Sequence, residues 1–170
     1  MANGVVYVGA HHPGRVYALN ASTGAMLWSY QTGYSVYSSP AVANGVVYVG
    51  SDALNASTGA LLWSSTTGAG ISSPAVANGV VYVGSYALNA STGALLWKYN
   101  TRDGLSSPAV ANGVVYIGSD DHKVYALNAK TGTWLWNYAT GGPVESSPAV
   151  ANGVVYVGSR DGNVYAFGLQ

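Results

Sequence analysis

Side chains that could ligate a metal or carry a proton stand together at His11-His12 and at Asp120-Asp121-His122. Imidazole nitrogen and carboxylate oxygen both serve divalent cations. Neither cluster alone has the ligand number or spacing of a dedicated centre, and both also read as solvated turn residues. Asn20, Asn55 and Asn89 each begin an Asn-Ala-Ser triplet, the pattern of an N-glycosylation acceptor. The triplets recur within one copied turn, so they read first as structure. Tyr7, Tyr48, Tyr82, Tyr116 and Tyr156 also recur, as do Trp28, Trp63, Trp97 and Trp136. Aromatic residues that repeat with a unit are packing residues first. Tyr34, Tyr37 and Trp134 do not recur, which makes them the better candidates for stacking on a ligand. The chain has no Cys, which removes disulfides, thiolate metal sites and a Cys nucleophile.

Charge narrows the partners further. Lys plus Arg is 6 and Asp plus Glu is 6, for a formal net charge of zero. No basic field is present to draw in nucleic acid or anionic lipid. Charged residues make up only 7% of 170 residues, so solubility falls to Ser, Thr, Asn, Gly and backbone. No apolar run approaches the ~20 residues of a membrane-spanning helix. Met1 leads straight into repeat sequence, so no signal peptide is expected.

The elements that position these residues follow from repetition. Ser-Ser-Pro-Ala-Val-Ala-Asn-Gly-Val-Val-Tyr occurs four times, beginning at Ser38, Ser72, Ser106 and Ser146, and Ala2 opens a fifth copy without its head. Each unit reads as four strands. Ser-Ser-Pro-Ala-Val-Ala forms the first, with Pro near its start where a missing N–H costs least. Asn-Gly between apolar runs marks a tight hairpin, because both turn residues need positive φ. Val46-Val47-Tyr48-Val49 is apolar on both faces, as in a sheet covered on both sides. Val124 to Leu127 and Trp134 to Tyr138 supply the third and fourth strands. Four short strands in every ~40 residues are the mark of propeller blades. The predicted fold is an all-β propeller in a single domain, with units at about 1–37, 38–71, 72–105, 106–145 and 146–170. The two terminal blades are incomplete.

Ala126 to Trp136, Ala-Leu-Asn-Ala-Lys-Thr-Gly-Thr-Trp-Leu-Trp, resembles the tryptophan-docking motif of PQQ-like (pyrroloquinoline-quinone-type) β-propeller repeats. Complete copies also run from Ala18, Ala53 and Ala87. The resemblance implies that Trp28, Trp63, Trp97 and Trp136 pack between blades and donate their N–H groups to backbone. The family's Asp is replaced by Asn at Asn20, Asn55, Asn89 and Asn128, which can still bond the turn. The family includes quinone-dependent dehydrogenases and non-enzymatic propellers, among them an outer-membrane assembly lipoprotein. It points to an extracellular, cell-surface or periplasmic setting. The dehydrogenases of the family use a longer chain, a Ca²⁺ site built from carboxylate and amide side chains, a catalytic Asp and often paired cysteines, whereas none of the six acidic residues here stands at a repeat-core position. No catalytic, metal or cofactor-binding residue is therefore assigned, and no cofactor is expected. The leading reading is a non-catalytic scaffold or protein-interaction module, with a protein partner or self-association. A fragment of a quinoprotein dehydrogenase and a propeller binding a glycan or small ligand are the alternatives.

Two units are shortened. Ile117 to Gly132 corresponds to Val49–Gly59 and to Val83–Gly93, each with five residues missing. Pairing Ile117 with Ala126 and Val49 with Ala53 puts Asp120 to Lys123 in a loop and leaves Gly50-Ser51-Asp52 as a three-residue turn. The hairpin then ends about two rungs early, and a notch is expected there. His11, His12, Arg15, Asp52, Arg102, Asp103, Asp120, Asp121, His122, Lys123, Glu145, Arg160 and Asp161 fall on that loop face, whereas Lys98 and Lys130 do not. This face is the expected interaction surface.

Overall fold

Five Asn-Gly pairs set the local geometry. At each one both residues have positive φ, as at Asn44 (50°) and Gly45 (75°), and the chain reverses in two residues. The computed structural model describes residues 1–67, 71–101 and 106–168. These form eighteen strands in five antiparallel sheets and no helix. The first sheet has three strands, β1 (Val5–Ala10), β2 (Arg15–Asn20) and β3 (Met26–Gln31). The second has four: β4 (Ala41–Ala43), β5 (Val46–Val49), β6 (Asp52–Asn55) and β7 (Leu61–Ser64). β8 (Ala75–Ala77), β9 (Val80–Val83), β10 (Tyr86–Asn89) and β11 (Leu95–Lys98) make the third. β12 (Ala109–Ala111), β13 (Val114–Ser119), β14 (Lys123–Asn128) and β15 (Trp134–Ala139) make the fourth. The last sheet is again three-stranded, with β16 (Ala149–Ala151), β17 (Val154–Gly158) and β18 (Val164–Gly168).

The chain divides into two compact units, residues 1–81 with 89–94 and residues 82–88 with 95–170. In the first, Val16, Val36, Val47, Val49 and Leu54 form a core against Trp28, Tyr30 and Tyr34. In the second, Val124, Val144 and Val157 pack beneath Trp136 and Phe167, and Tyr116, Ala126 and Val155 form a neighbouring cluster. Consecutive residues Val47, Tyr48 and Val49 are all buried. A strand can bury both faces in this way only when its sheet is covered on both sides.

The first strands are shorter than expected, beginning after the Pro, and the two Ser residues do other work. Ser38 Oγ accepts the N–H of Gly50 at 3.1 Å, as Ser106 does for Gly118 at 3.0 Å and Ser146 for Gly158 at 2.8 Å. Each ties the incoming chain to the end of the second strand. The next Ser reaches a neighbouring sheet: Ser73 Oγ accepts from Ser39 N–H at 2.8 Å, and Ser147 Oγ from Ser107 N–H at 3.1 Å.

Docking turns hold the sheets side by side. Asn20, Asn55, Asn89 and Asn128 each accept two backbone N–H bonds of 2.9–3.1 Å within their turn. Trp28 Nε1 donates to Ala56 O at 2.9 Å, Trp63 to Ala90 O at 2.9 Å and Trp97 to Ala129 O at 3.0 Å. Tyr7, Tyr48 and Tyr82 send their hydroxyls to the same three carbonyls at 3.0–3.2 Å. Each Tyr ring lies 5.8–5.9 Å from its Trp. Tyr116 and Trp136 repeat the pair at 6.0 Å, and the carbonyl that would answer them belongs to residue 169, outside the described residues.

Candidate functional site

Within each unit, the hairpins joining second to third strands share an end with the linkers that follow the fourth strands. Thr32 N–H and Oγ1 both donate to Gly14 O, at 3.0 and 2.9 Å, pinning the linker after β3 to the β1–β2 turn. His11 and His12 are exposed on that turn with rings 5.3 Å apart. His11 Nε2 is 2.5 Å from the Tyr37 hydroxyl, and the two rings are 4.5 Å apart. Arg15 donates to Ser29 Oγ and Gln31 Oε1 across β2 and β3.

Asp52 does not lie in a hairpin loop. The turn after β5 is Gly50-Ser51 alone, and Asp52 pairs with Val49 inside β6, only 3% exposed. Its Oδ2 accepts from the Tyr34 hydroxyl at 3.0 Å and its Oδ1 from Ser64 Oγ at 2.6 Å. Burial raises the Asp52 pKa, and these two hydrogen bonds oppose that rise. Burial, and then the charge of Asp52, raises that of Tyr34. The expected register is also one residue out: Ala53 pairs with Tyr48 and Ala126 with Tyr116. The long hairpin then has three further rungs to Ser119–Lys123 and the short one has a single rung, so the difference of two rungs stands.

A hollow of about 560 Å³ opens where the short hairpin stops, bordered by Tyr34, Tyr37, Ser51, Ser64, Ser65 and Thr66. Sequence reasoning picked out Tyr34 and Tyr37 but missed Asp52 as the residue beneath them. The signal was present. Asp52 stands where the other units carry Tyr17, Tyr86, Tyr125 and Tyr165.

In the second unit, Asp120 and His122 are exposed on the β13–β14 turn. Asp121 accepts from the Tyr125 hydroxyl at 2.5 Å and lies 4.0 Å from Lys123 Nζ. Its Oδ1 is buried with no hydrogen-bond partner among the described residues. The β17–β18 loop repeats the pairing: Asp161 accepts from Tyr165 at 2.7 Å and from the N–H groups of Gly141 and Asn163 at 2.7 and 2.9 Å. The Tyr165 hydrogen bond leads in lowering the Asp161 pKa. Arg160 pairs with Glu145 at 2.7 Å. Lys98 is also at the loop end, opposite Tyr86 beside the second short hairpin, and not away from it as expected. Arg102 and Asp103 lie outside the described residues. Among the described residues, no three His or carboxylate side chains converge.

Repeated antiparallel sheets, the first three each docked by a Trp on a neighbour's turn, define a β-propeller with incomplete terminal blades and two trimmed ones, as the repeats predict. A family model described as outer membrane protein assembly factor BamB matches residues 1–53 and 85–169, and the chain belongs to this PQQ-like repeat family. BamB from Moraxella catarrhalis superposes with a TM-score of 0.80 at 23% identity, over 99% of this chain and 56% of that one. The computationally designed Ika8 protein gives 0.83 at 18% identity, over 99% and 57%. Quinohemoprotein alcohol dehydrogenase ADHIIG from Pseudomonas putida HK5 gives 0.75 at 23% identity, over 99% and 41%. The chain thus spans about half the length of the solved structures it matches, and at these identities the likeness shows the fold. No curated protein matches the sequence.

Proposed function

We propose that the chain is a non-catalytic propeller module that binds a protein partner through its loop end. One observation carries this reading. The docking turns and Asn-Gly hairpins are near-copies of one another, whereas the second-to-third-strand turns and linkers differ from unit to unit and hold seven of the twelve charged residues, with Arg15, Asp52, Lys98 and Lys123 on the strand ends beside them. Rigid repeats with individual loops favour recognition at the loops. Membership of a family described by an outer membrane protein assembly factor supports a protein partner over a substrate. The test places photo-crosslinking residues at Asp120, His122 and Arg160, and at Ser22, Ser57 and Lys130 on the docking turns. Crosslinks to one defined partner from the loop positions alone are expected. Equal capture from both ends would sink the reading.

A further inference from the structure

We propose that the hollow above Asp52 is a binding site for a neutral carbohydrate, one sugar ring held against Tyr37 by the surrounding hydroxyls. The site is built from residues of the first unit alone and does not depend on a protein partner. Its volume, about 560 Å³, falls in the ~300–1,000 Å³ range of small-molecule pockets.

The lining sets the ligand's chemistry. It is made almost wholly of Ser, Thr and Tyr, with Ile71 at one side, and contains no charged side chain among the described residues. Asp52 lies beneath, takes the protons of Tyr34 and Ser64, and leaves the Ser64 oxygen to accept from a ligand. The side chains of Ser35, Ser65 and Thr66 make no hydrogen bond among the described residues, so these hydroxyls can turn to donate or accept. Such a wall matches a ligand that carries many hydroxyls and no charge. An anion would meet no Lys or Arg in the lining among the described residues, and an ammonium would find Asp52 buried and already hydrogen-bonded twice. Tyr37 is 62% exposed, and its hydroxyl is tied to His11. Its ring is thereby presented as a fixed apolar face for the C–H side of a sugar.

Two departures from the repeat make the hollow. The five-residue deletion shortens the β5–β6 hairpin, and Asp replaces the Tyr of the other units at position 52. Asp52→Tyr restores the residue that the other short unit carries as Tyr86, so the variant is compatible with the fold and fills the site. Calorimetric titration with glucose, galactose, N-acetylglucosamine and cellobiose, beside glucosamine and glucuronate, tests the proposal. Saturable binding of at least one neutral sugar is expected, weakened about tenfold or more by Asp52→Tyr and by Tyr37→Ala, and unchanged by Trp134→Ala. The proposal is overturned if no neutral sugar binds up to ~10 mM. It is equally overturned if glucosamine or glucuronate binds better than glucose, or if Asp52→Tyr leaves binding intact.

Discussion

Asp52 shows how one replacement re-uses a motif. In the fourth and fifth units a strand Tyr donates to a loop Asp, Tyr125 to Asp121 and Tyr165 to Asp161. In the second repeat, which lies in the first compact unit, the Asp occupies the strand, and Tyr34 reaches it from the linker. Because burial raises the Asp52 pKa, the folded state keeps that proton to higher pH than the unfolded chain does. Stability must then fall as pH rises from about 4, the unfolded carboxylate value, through the raised folded value. Urea unfolding across this range should show the parent losing stability relative to Asp52→Asn as pH increases; parallel profiles would contradict it. The docking Trp residues allow a second comparison. Trp63 has both a carbonyl and a glycine seat, with Gly93 against its ring, whereas Trp136 packs on Tyr116, Phe167 and the core beneath it but has neither a carbonyl partner nor a glycine seat among the described residues. Trp63→Ala should cost about 3 kcal/mol and Trp136→Ala about half of that. Denaturation midpoints for the two variants check the order.

Docking turns are the element on which the fold rests, and they separate space from backbone strain. Gly59 has φ of +72°, and a Cβ there would come within 2.7 Å of the Trp28 ring. Gly24 has nearly the same φ, +71°, with nothing within 4 Å. Gly24→Ala should therefore cost only the left-handed backbone penalty, about 1–2 kcal/mol, and Gly59→Ala should add an overpacking cost of about 1–3 kcal/mol. Equal losses in thermal unfolding would mean that the Trp seat contributes nothing. These turns were legible in sequence because each is written four times, and the Asn-Gly hairpins because their backbone demands so few residue types. The register was less legible. Val-Val-Tyr-Val is apolar at every position, so no alternation fixes which residue faces Ala53, and the expected pairing slipped by one. The burial of Asp52 was hidden for a different reason: its partner Tyr34 lies 18 residues away in a linker that no other unit copies. Tyr34 and Tyr37 were visible only as aromatics that break the repeat.

For the whole molecule, the unmatched halves of the docking device bear on association. Among the described residues, no Trp ring sits on the Gly24 turn. In the second unit a hollow of about 770 Å³ exposes Leu135, Trp136, Tyr138 and Phe167, with no docking turn over them among the described residues. Each feature is what the other lacks, so one copy can present Trp136 to the Gly24 turn of a second. With zero net charge and 7% charged residues, little repulsion opposes that contact. The strands β7, β11 and β15 add exposed Leu61, Leu62, Leu95, Leu96 and Trp134 along sheet edges, where further pairing is possible. Light scattering over a roughly hundredfold concentration range should therefore show mass rising with concentration. Trp136→Ala combined with Phe167→Ser should shift that rise to higher concentration, while Trp134→Ala, which tests the sheet edge, should shift it less. A monomer mass at every concentration would rule out docking between copies. A larger effect of Trp134→Ala would move the contact from the docking seats to the edge strands.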